Sequence, residues 1–385
     1  MASWDELTGQ DQAVATLRAA AEAALSAEGG AAMSHAWLLT GPPGSGRSNL
    51  AFAFATALLG GDRDPNVAQQ VRARSHPDLE VLTTSGVIIP IEAARKAVKR
   101  SYYAPSVSPY RVIVVEDADR MSEHSSNTML KAIEEPPERT VWILCAPSEA
   151  DLLPTIRSRA RSLRLTVPSV ADVAALLVRR DGVDPQLAER AAREAQSHVG
   201  MAHRLATDEE ARRRRAHTLD LALGIRSVGD VMTTAAAYHD IANEDGKAMN
   251  EERDARERAA ALRSLGVEPG GTVPPKLRGA LRELEEEQKR RSRRGLRDGL
   301  DRILVDLLSL YRDVLLRQLG APAELVNEAL RDRIEDVARH TAPATTLAVL
   351  DGIAEARTRI EANVAPLLAL ESMLVTVAIG APAPR

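Results

Sequence analysis

The amino-acid sequence predicts an α/β domain on a parallel sheet, then a small helical unit, then an all-α C-terminal domain. Three observations carry this expectation. Short apolar segments alternate with helical patterns between residues 35 and 167. Two of those segments, "RVIVVED" (111–117) and "VWILCA" (141–146), are continuous apolar runs, as strands buried on both faces require. After "LTVPS" (165–169) the strand signals stop, and helical spacing continues to about residue 380.

The elements follow in order. Ala, Leu and charged residues alternate at helical spacing over 12–27. "HAWLLT" (35–40) is a short apolar strand, and a glycine-rich loop and an alanine-rich helix over 48–59 follow it at once. Further strands are expected at "DLEVLT" (78–83), 111–117, 141–146 and "SLRLTV" (162–167), separated by helices over 90–101, 121–135 and 169–180. Residues 169–206 read as a small helical unit, and 208–380 as helical apart from a break at "GVEPGGTVPPK" (266–276). The charge-dense segments flanking that break read as solvated helix or linker. A basic cluster, Arg290–Arg294, is diluted by interleaved Glu residues. "LDRILVDLLSLYRDVLLRQL" (300–319) and "NVAPLLALESMLVTVAI" (363–379) carry apolar faces for a helical bundle or for neighbouring subunits.

Composition narrows the function classes. Aromatic residues make up 3% of the 385-residue chain, which argues against a stacking platform for single-stranded nucleic acid. With a net charge of −4, any nucleic-acid contact must come from a local patch or a larger assembly. The one cysteine, Cys145, excludes a disulfide within the chain and a Cys-rich metal site, so no zinc is expected. No apolar run reaches the roughly 18 residues of a membrane span. "MASWDELTGQ" lacks the charged-then-apolar order of a signal peptide. A cytoplasmic protein with no membrane attachment is expected.

The chemistry begins at "LLTGPPGSGRSNLAF" (38–52). This matches the phosphate-binding pattern G-x-x-x-x-G-K-[ST] except at Arg47. Gly41, Gly44 and Gly46 let backbone N–H groups wrap phosphates at the positive end of the following helix. Ser48 stands where a hydroxyl ligates Mg²⁺. A guanidinium at position 47 is bulkier and flatter than the usual ammonium and does not sit identically. "VIVVEDADRM" supplies Glu116 and Asp117 at a strand end, where one acid holds Mg²⁺ and another activates water, but in reversed Glu-Asp order. The alternative is that these acids only cap the next helix, a role that also suits Asp119.

Four segments together carry a resemblance. They are "WDELTGQDQAVATLRAA" (4–20), with Gly9-Gln10 ahead of a helix, and "HPDLEVL" (76–82). Then come "NTMLKAIEEPPERTVWILCAPSEADLLPTIRSRARSLRL" (127–165), with its N-x-x-L-K-x-[LI]-E-E-P-P core and terminal Ser-Arg, and "SHVGMAHRLA" (197–206). The chain resembles the AAA+ clamp-loader family of bacterial DNA polymerase III over roughly residues 3–225, with a helical collar to about 380. Within that family it is more similar to the delta-prime type, especially the actinobacterial kind, than to the ATPase tau/gamma. Arg47, the Glu-Asp order and the lack of a long C-terminal extension carry that distinction.

The resemblance implies an α/β AAA+ P-loop domain with a parallel sheet (1–168) and a helical lid (169–207). An all-α C-terminal collar (208–385) follows, with a charged insert near 244–298. Ser158-Arg159 match the family's Ser-Arg-Cys motif, with Ala160 in place of the cysteine. Arg159 would then reach the γ-phosphate held by a neighbouring tau/gamma subunit. Arg204 matches the lid arginine. With Gln10, Gly41, Gly44, Gly46, Arg47 and Ser48 it would face nucleotide in the chain's own site. Ser48, Glu116 and Asp117 would hold Mg²⁺ if nucleotide binds. Ala146-Pro147 stand where active members carry a polar sensor residue, and residues 60–75 lack the family's zinc-knuckle cysteines.

The expected function is that of a stator which binds ATP or ADP weakly, does not hydrolyse it and has no polymerase site. It would join tau/gamma and delta in a hetero-pentamer and meet the sliding clamp and primer-template DNA through that complex. The competing readings are an active motor ATPase, tau/gamma-like or a branch-migration helicase, and a P-loop kinase of a small substrate. The kinase needs a compact single domain, which the long helical C-terminal region does not suit.

Overall fold

A five-stranded parallel sheet organises the first of two units, Met1–Thr207, in a computed structural model; the second unit, Asp208–Arg385, is helical. The structure describes residue 4 and residues 7–26, 33–83, 88–264 and 278–380, without some side chains in 249–264 and 278–291.

In chain order the first unit comprises α1 (Asp11–Leu25), β1 (Ala36–Thr40), α2 (Arg47–Leu58), α3 (Pro65–Arg72), β2 (Leu79–Leu82), α4 (Ile91–Ser101) and β3 (Arg111–Val115). Then follow α5 (Glu123–Glu134), β4 (Thr140–Ala146), α6 (Pro154–Arg157), β5 (Arg161–Arg164), α7 (Val170–Asp181), α8 (Pro185–Glu194) and α9 (Val199–Thr207). The strands lie in the order β2-β3-β4-β1-β5, all pairs parallel, with β4 between the phosphate-loop strand β1 and the acidic strand β3.

Every residue of β1, β3 and β4 is buried, and the period-2 alternation of strand side chains divides them between two cores. Trp37, Leu39, Val112, Val114, Ile143 and Cys145 join the core that contains α1 and α2. Leu38, Ile113, Val115, Trp142 and Leu144 join the core that contains α4 and α5. Consecutive residues Leu50–Leu58 of α2 are all buried, so this helix is apolar all round; Phe54 meets Trp37 edge-to-face at 5.6 Å. The single thiol, Cys145, has no exposed surface, and burial pushes its pKa far above the ordinary value. Ser122 caps α5 by accepting the Ser125 N–H. The expectation that Asp119 caps this helix is therefore corrected: three residues too early, it lies in a short 3₁₀ turn.

A polar knot braces the N-terminal ends of β2 and β3. The Asp78 carboxylate is fully buried and accepts hydrogen bonds from the N–H groups of Ser106, Val107 and Ser108 at 2.7, 2.8 and 3.0 Å. Arg111 Nη2 completes the set at 2.8 Å, and His76 lies beside it, 3.2 Å from the Ser108 hydroxyl. This knot is what "HPD" builds. Within residues 60–75 the chain forms α3, capped by Asp64 on the Asn66 N–H.

The second unit is built from α10 (Glu209–Gly224), α11 (Val228–Ser264), α12 (Arg278–Gln318), α13 (Arg331–His340), α14 (Pro343–Glu361) and α15 (Pro366–Gly380) around one core that includes Tyr238, Leu307, Ile353 and Leu374. The charge-dense segments are not loops but the ends of α11 and α12, which pair antiparallel. Gly246 meets Gly295, and Gly299 meets Ala242, so closely that an added Cβ would lie 2.8 and 2.7 Å from the opposing backbone. Arg258 and Glu285 face each other farther along. The expected break at 266–276 lies outside the described residues. Among them, no helix is long and apolar enough to cross a membrane.

Candidate functional site

The loop between β1 and α2 is held from three sides. Thr40 N–H and C=O groups run in the β1 ladder, Gly41 N–H donates to Pro147 O at 3.1 Å, and Gln10 braces the loop from below. Gln10 Nε2 donates to Thr166 O at 2.7 Å and to Ser45 O at 3.3 Å, while its Oε1 accepts the Thr166 N–H at 3.1 Å. Its amide is almost fully buried in these bonds, so it positions the loop and does not present itself to a ligand. Ala146-Pro147, which lack a sensor side chain, contribute a backbone brace instead.

Gly44 and Gly46 have φ of +81° and +92°, a region that side chains disfavour. α2 starts beyond them with no side-chain cap, leaving its first N–H groups to a phosphate-type ligand. That part of the site fits a nucleotide. Arg47, however, turns back on its own loop: Nη1 donates to Gly41 O at 2.5 Å. Burial draws its pKa below the ordinary guanidinium value, against the fields of Cys145, Asp119, Asp117 and Asp151.

The metal-side residues are also brought together, and they satisfy one another. Both oxygens of Glu116 are taken by Arg74, Nη2 at 3.0 Å and Nη1 at 2.9 Å. Burial raises the Glu116 pKa, while Arg74 and the Ser48 hydroxyl, turned to the same carboxylate, favour its charged form. A divalent cation needs those lone pairs. As arranged, Ser48 and Glu116 do not fit Mg²⁺. Asp117 stands beside them, half-buried.

Two contacts at this loop were not visible in the sequence. The first is Arg74. The second is His198, whose ring lies where a Cβ on Gly44 would be, 2.3 Å from that position. His198 precedes α9 and its Nδ1 accepts the Met201 N–H at 3.2 Å, so the helix that carries half-buried Arg204 begins against the phosphate loop.

Arg159 is elsewhere. It follows the one-turn helix α6, which Ile156 anchors in the core, and precedes the edge strand β5. Parallel register pairs Trp37 with Arg161 and Thr40 with Arg164, so Arg159 lies at the N-terminal end of β5 while the phosphate loop leaves the opposite end of β1. At about 3.3 Å per residue the five residues of β1 span roughly 15 Å. The guanidinium donates to Thr155 O at 2.8 Å and to Glu134 Oε1 at 2.9 Å, with Ser158 Oγ alongside. Glu134 is the first acid of E-E-P-P. The Arg159 bond draws its pKa below the ordinary value. Arg159 is half-buried, at 32%, and Glu134 is exposed, at 50%, so solvent screens the pair and it separates at little cost.

Comparison with known proteins matches residues 18–169 to a family described as DNA polymerase III, delta subunit. The gamma/tau subunit of DNA polymerase III from Mycobacterium bovis is 30% identical over 193 residues, covering 46% of this chain and 31% of the relative. The delta-prime subunit from Pseudomonas aeruginosa is 32% identical over 152 residues, 37% of this chain and 46% of the relative. The match thus spans less than half the length of either. Among solved structures, a gamma subunit-related protein of Thermotoga maritima aligns with 95% of this chain and 99% of its own at 16% identity and a TM-score of 0.44. The N-terminal unit, with this sheet and phosphate loop, is thus similar over residues 18–169 to subunits of the DNA polymerase III clamp loader.

Proposed function

We propose that the chain is a delta-prime-type stator, whose Arg159 completes the ATPase site of an adjacent tau/gamma subunit. One observation carries this reading: Arg159 lies at the end of β1 away from the chain's own phosphate loop, at the surface, where its one carboxylate partner, Glu134, is exposed and its other contacts are neutral. A guanidinium that far from its own loop serves phosphate bound elsewhere, where it stabilises charge on the transferring phosphoryl group. The chain's own loop binds ATP or ADP weakly and does not turn it over, because Arg47 is committed to Gly41 and Glu116 to Arg74. The helical unit holds the chain in a hetero-pentamer with tau/gamma and delta in the cytoplasm. The sliding clamp and primer-template DNA are met through that complex.

Size-exclusion chromatography of the full chain with purified tau/gamma and delta tests the assembly, and clamp- and DNA-stimulated ATPase of the reconstituted complex tests the stator role. Failure to co-elute overturns the proposal. A second reading, a catalytically active gamma/tau-like ATPase, draws on the 30% identity to the mycobacterial gamma/tau subunit and the intact glycines. Turnover on the order of 1 s⁻¹ by the isolated chain would favour it.

A further inference from the structure

Arg74 occupies a backbone position that normally goes to glycine. α3 ends with the Arg74 N–H on Val71 O and the Ser75 N–H on Gln70 O, the paired bonds of a Schellman ending, and Arg74 takes the left-handed φ of +55° there. A side chain kept at a disfavoured φ points to a use for that side chain. The guanidinium lies 5.1 Å from the centre of the Phe52 ring and forks onto both oxygens of Glu116, a residue 42 positions away in sequence. Planar stacking and bidentate pairing together fix an arginine as neither would alone. Glu116 is 13% exposed, and Ser48 is turned to it. These are the two groups that a magnesium ion beside a phosphate loop would require.

We propose that Arg74 supplies from within the chain the positive charge that a divalent cation supplies beside such a loop, so that nucleoside di- or triphosphate binds here without Mg²⁺. The inference rests on the nucleotide-binding part of the reading above. Its physical basis is competition: a divalent ion at Ser48 and Glu116 would have to break a charge-assisted hydrogen bond and the ion pair beside it, and sit next to a fixed cation. The phosphates, for their part, meet the uncapped N-terminus of α2, which needs no metal.

The test uses the full-length protein and two probes, ADP and Mn²⁺. Calorimetric titration of ADP in excess Mg²⁺ and in excess EDTA should give dissociation constants within about threefold of each other. Electron paramagnetic resonance should detect no stoichiometric Mn²⁺ on the wild-type chain. Arg74→Gly suits the left-handed φ and should fold as well as the wild type by circular dichroism. It should gain one Mn²⁺ site, which adding Glu116→Gln removes, and its ADP affinity should become Mg²⁺-dependent by about tenfold or more. Wild-type ADP binding that tightens about tenfold in Mg²⁺, or a folded Arg74→Gly chain that gains no Mn²⁺ site, overturns the inference while leaving nucleotide binding intact. Absence of ADP binding in both media overturns the inference and the nucleotide-binding reading together.

Discussion

The two ends of the sheet treat their charges in opposite ways. At the C-terminal strand ends, where a P-loop protein does its chemistry, Arg47 is spent on Gly41 O and Arg74 on Glu116. At the N-terminal ends, Arg159 is tied to the exposed Glu134 and to neutral groups of its own turn. Toward the opposite edge of the sheet, the N-terminal ends of β2 and β3 are fastened by the buried knot of Asp78, Arg111 and His76. The lesson is that a charged residue is useful to a partner in proportion to how cheaply its present partners release it. An exposed pair is worth about 1 kcal/mol or less, whereas breaking a buried one costs about 3–5 kcal/mol. Of these arginines, Arg159 is therefore the one whose present carboxylate releases it at least cost.

The sharpest way to break that contrast is Arg159→Ala. In a reconstituted complex it should depress turnover at the neighbouring ATPase site by about 10³-fold, and total turnover by less where several sites share the ring. Thermal unfolding and assembly should be unchanged, since the Glu134 pair is exposed. Arg159→Lys should rescue poorly because an ammonium lacks the planar fork. Wild-type ATPase and clamp-loading rates in the Arg159→Ala complex would reduce Arg159 to a surface residue.

Next comes Asp78→Ala, which leaves three backbone N–H groups without their acceptor and the buried Arg111 guanidinium without its counter-charge, on carbonyl partners alone. A loss of about 3–5 kcal/mol is expected. All three tryptophans, Trp4, Trp37 and Trp142, belong to the first unit, so their emission during urea unfolding isolates the effect there. A midpoint unchanged from wild type would show that the knot carries no such weight.

A smaller effect is expected from pH. Burial holds the His76 pKa below the ordinary 6.5, so the folded state disfavours the proton that the unfolded chain accepts. This contribution to stability is fully present above pH 6.5 and declines as pH falls below it, toward the depressed folded value. Asp78 adds a second loss. Burial alone would raise its pKa, but the N–H groups of Val107, Ser106 and Ser108 outweigh that and bring it below the ordinary 3.8. Its contribution is intact above about pH 4 and falls away in stronger acid. Urea midpoints followed by tryptophan emission should fall between pH 7 and 5, and His76→Gln should flatten that slope.

Least of all should come from Arg47→Lys. Restoring the ammonium removes the bond to Gly41 O but leaves Arg74 on Glu116 and Pro147 at the sensor position. ADP affinity should change by less than about tenfold, with no turnover gained. ATP hydrolysis by the isolated variant at an ordinary enzymatic rate would mean that position 47 alone had silenced the site.

The architecture was legible in the sequence wherever burial imposes a pattern. Val112–Val115 and Val141–Cys145 read as central strands because helices cover both faces, and the apolar spacing of 300–319 read as a buried helix face. The glycines of the loop were legible because each serves backbone geometry. What stayed hidden depends on contacts between distant residues. Nothing near Arg74 marks it as the partner of Glu116, since pairing across 42 residues follows from how α3 turns into β2. His198 against Gly44 is hidden in the same way. Gln10 was expected to face nucleotide, but its amide is consumed by Thr166, 156 residues on. Short-range chemistry is written in the sequence as pattern, whereas a side chain's final partner is decided by packing.

Cys145 has a practical consequence. The thiol is sealed between β4 and α2, and its raised pKa keeps it protonated at neutral pH. A protonated, inaccessible thiol does not react with maleimides or iodoacetamides. The native chain is thus already a blank background for single-site dye attachment. A cysteine introduced on the exposed surface beside Arg159, for instance at Thr155, will carry a fluorophore there alone while the fold stays intact. Energy transfer from that dye to a labelled nucleotide on a neighbouring subunit would then follow the corner through a loading cycle in real time.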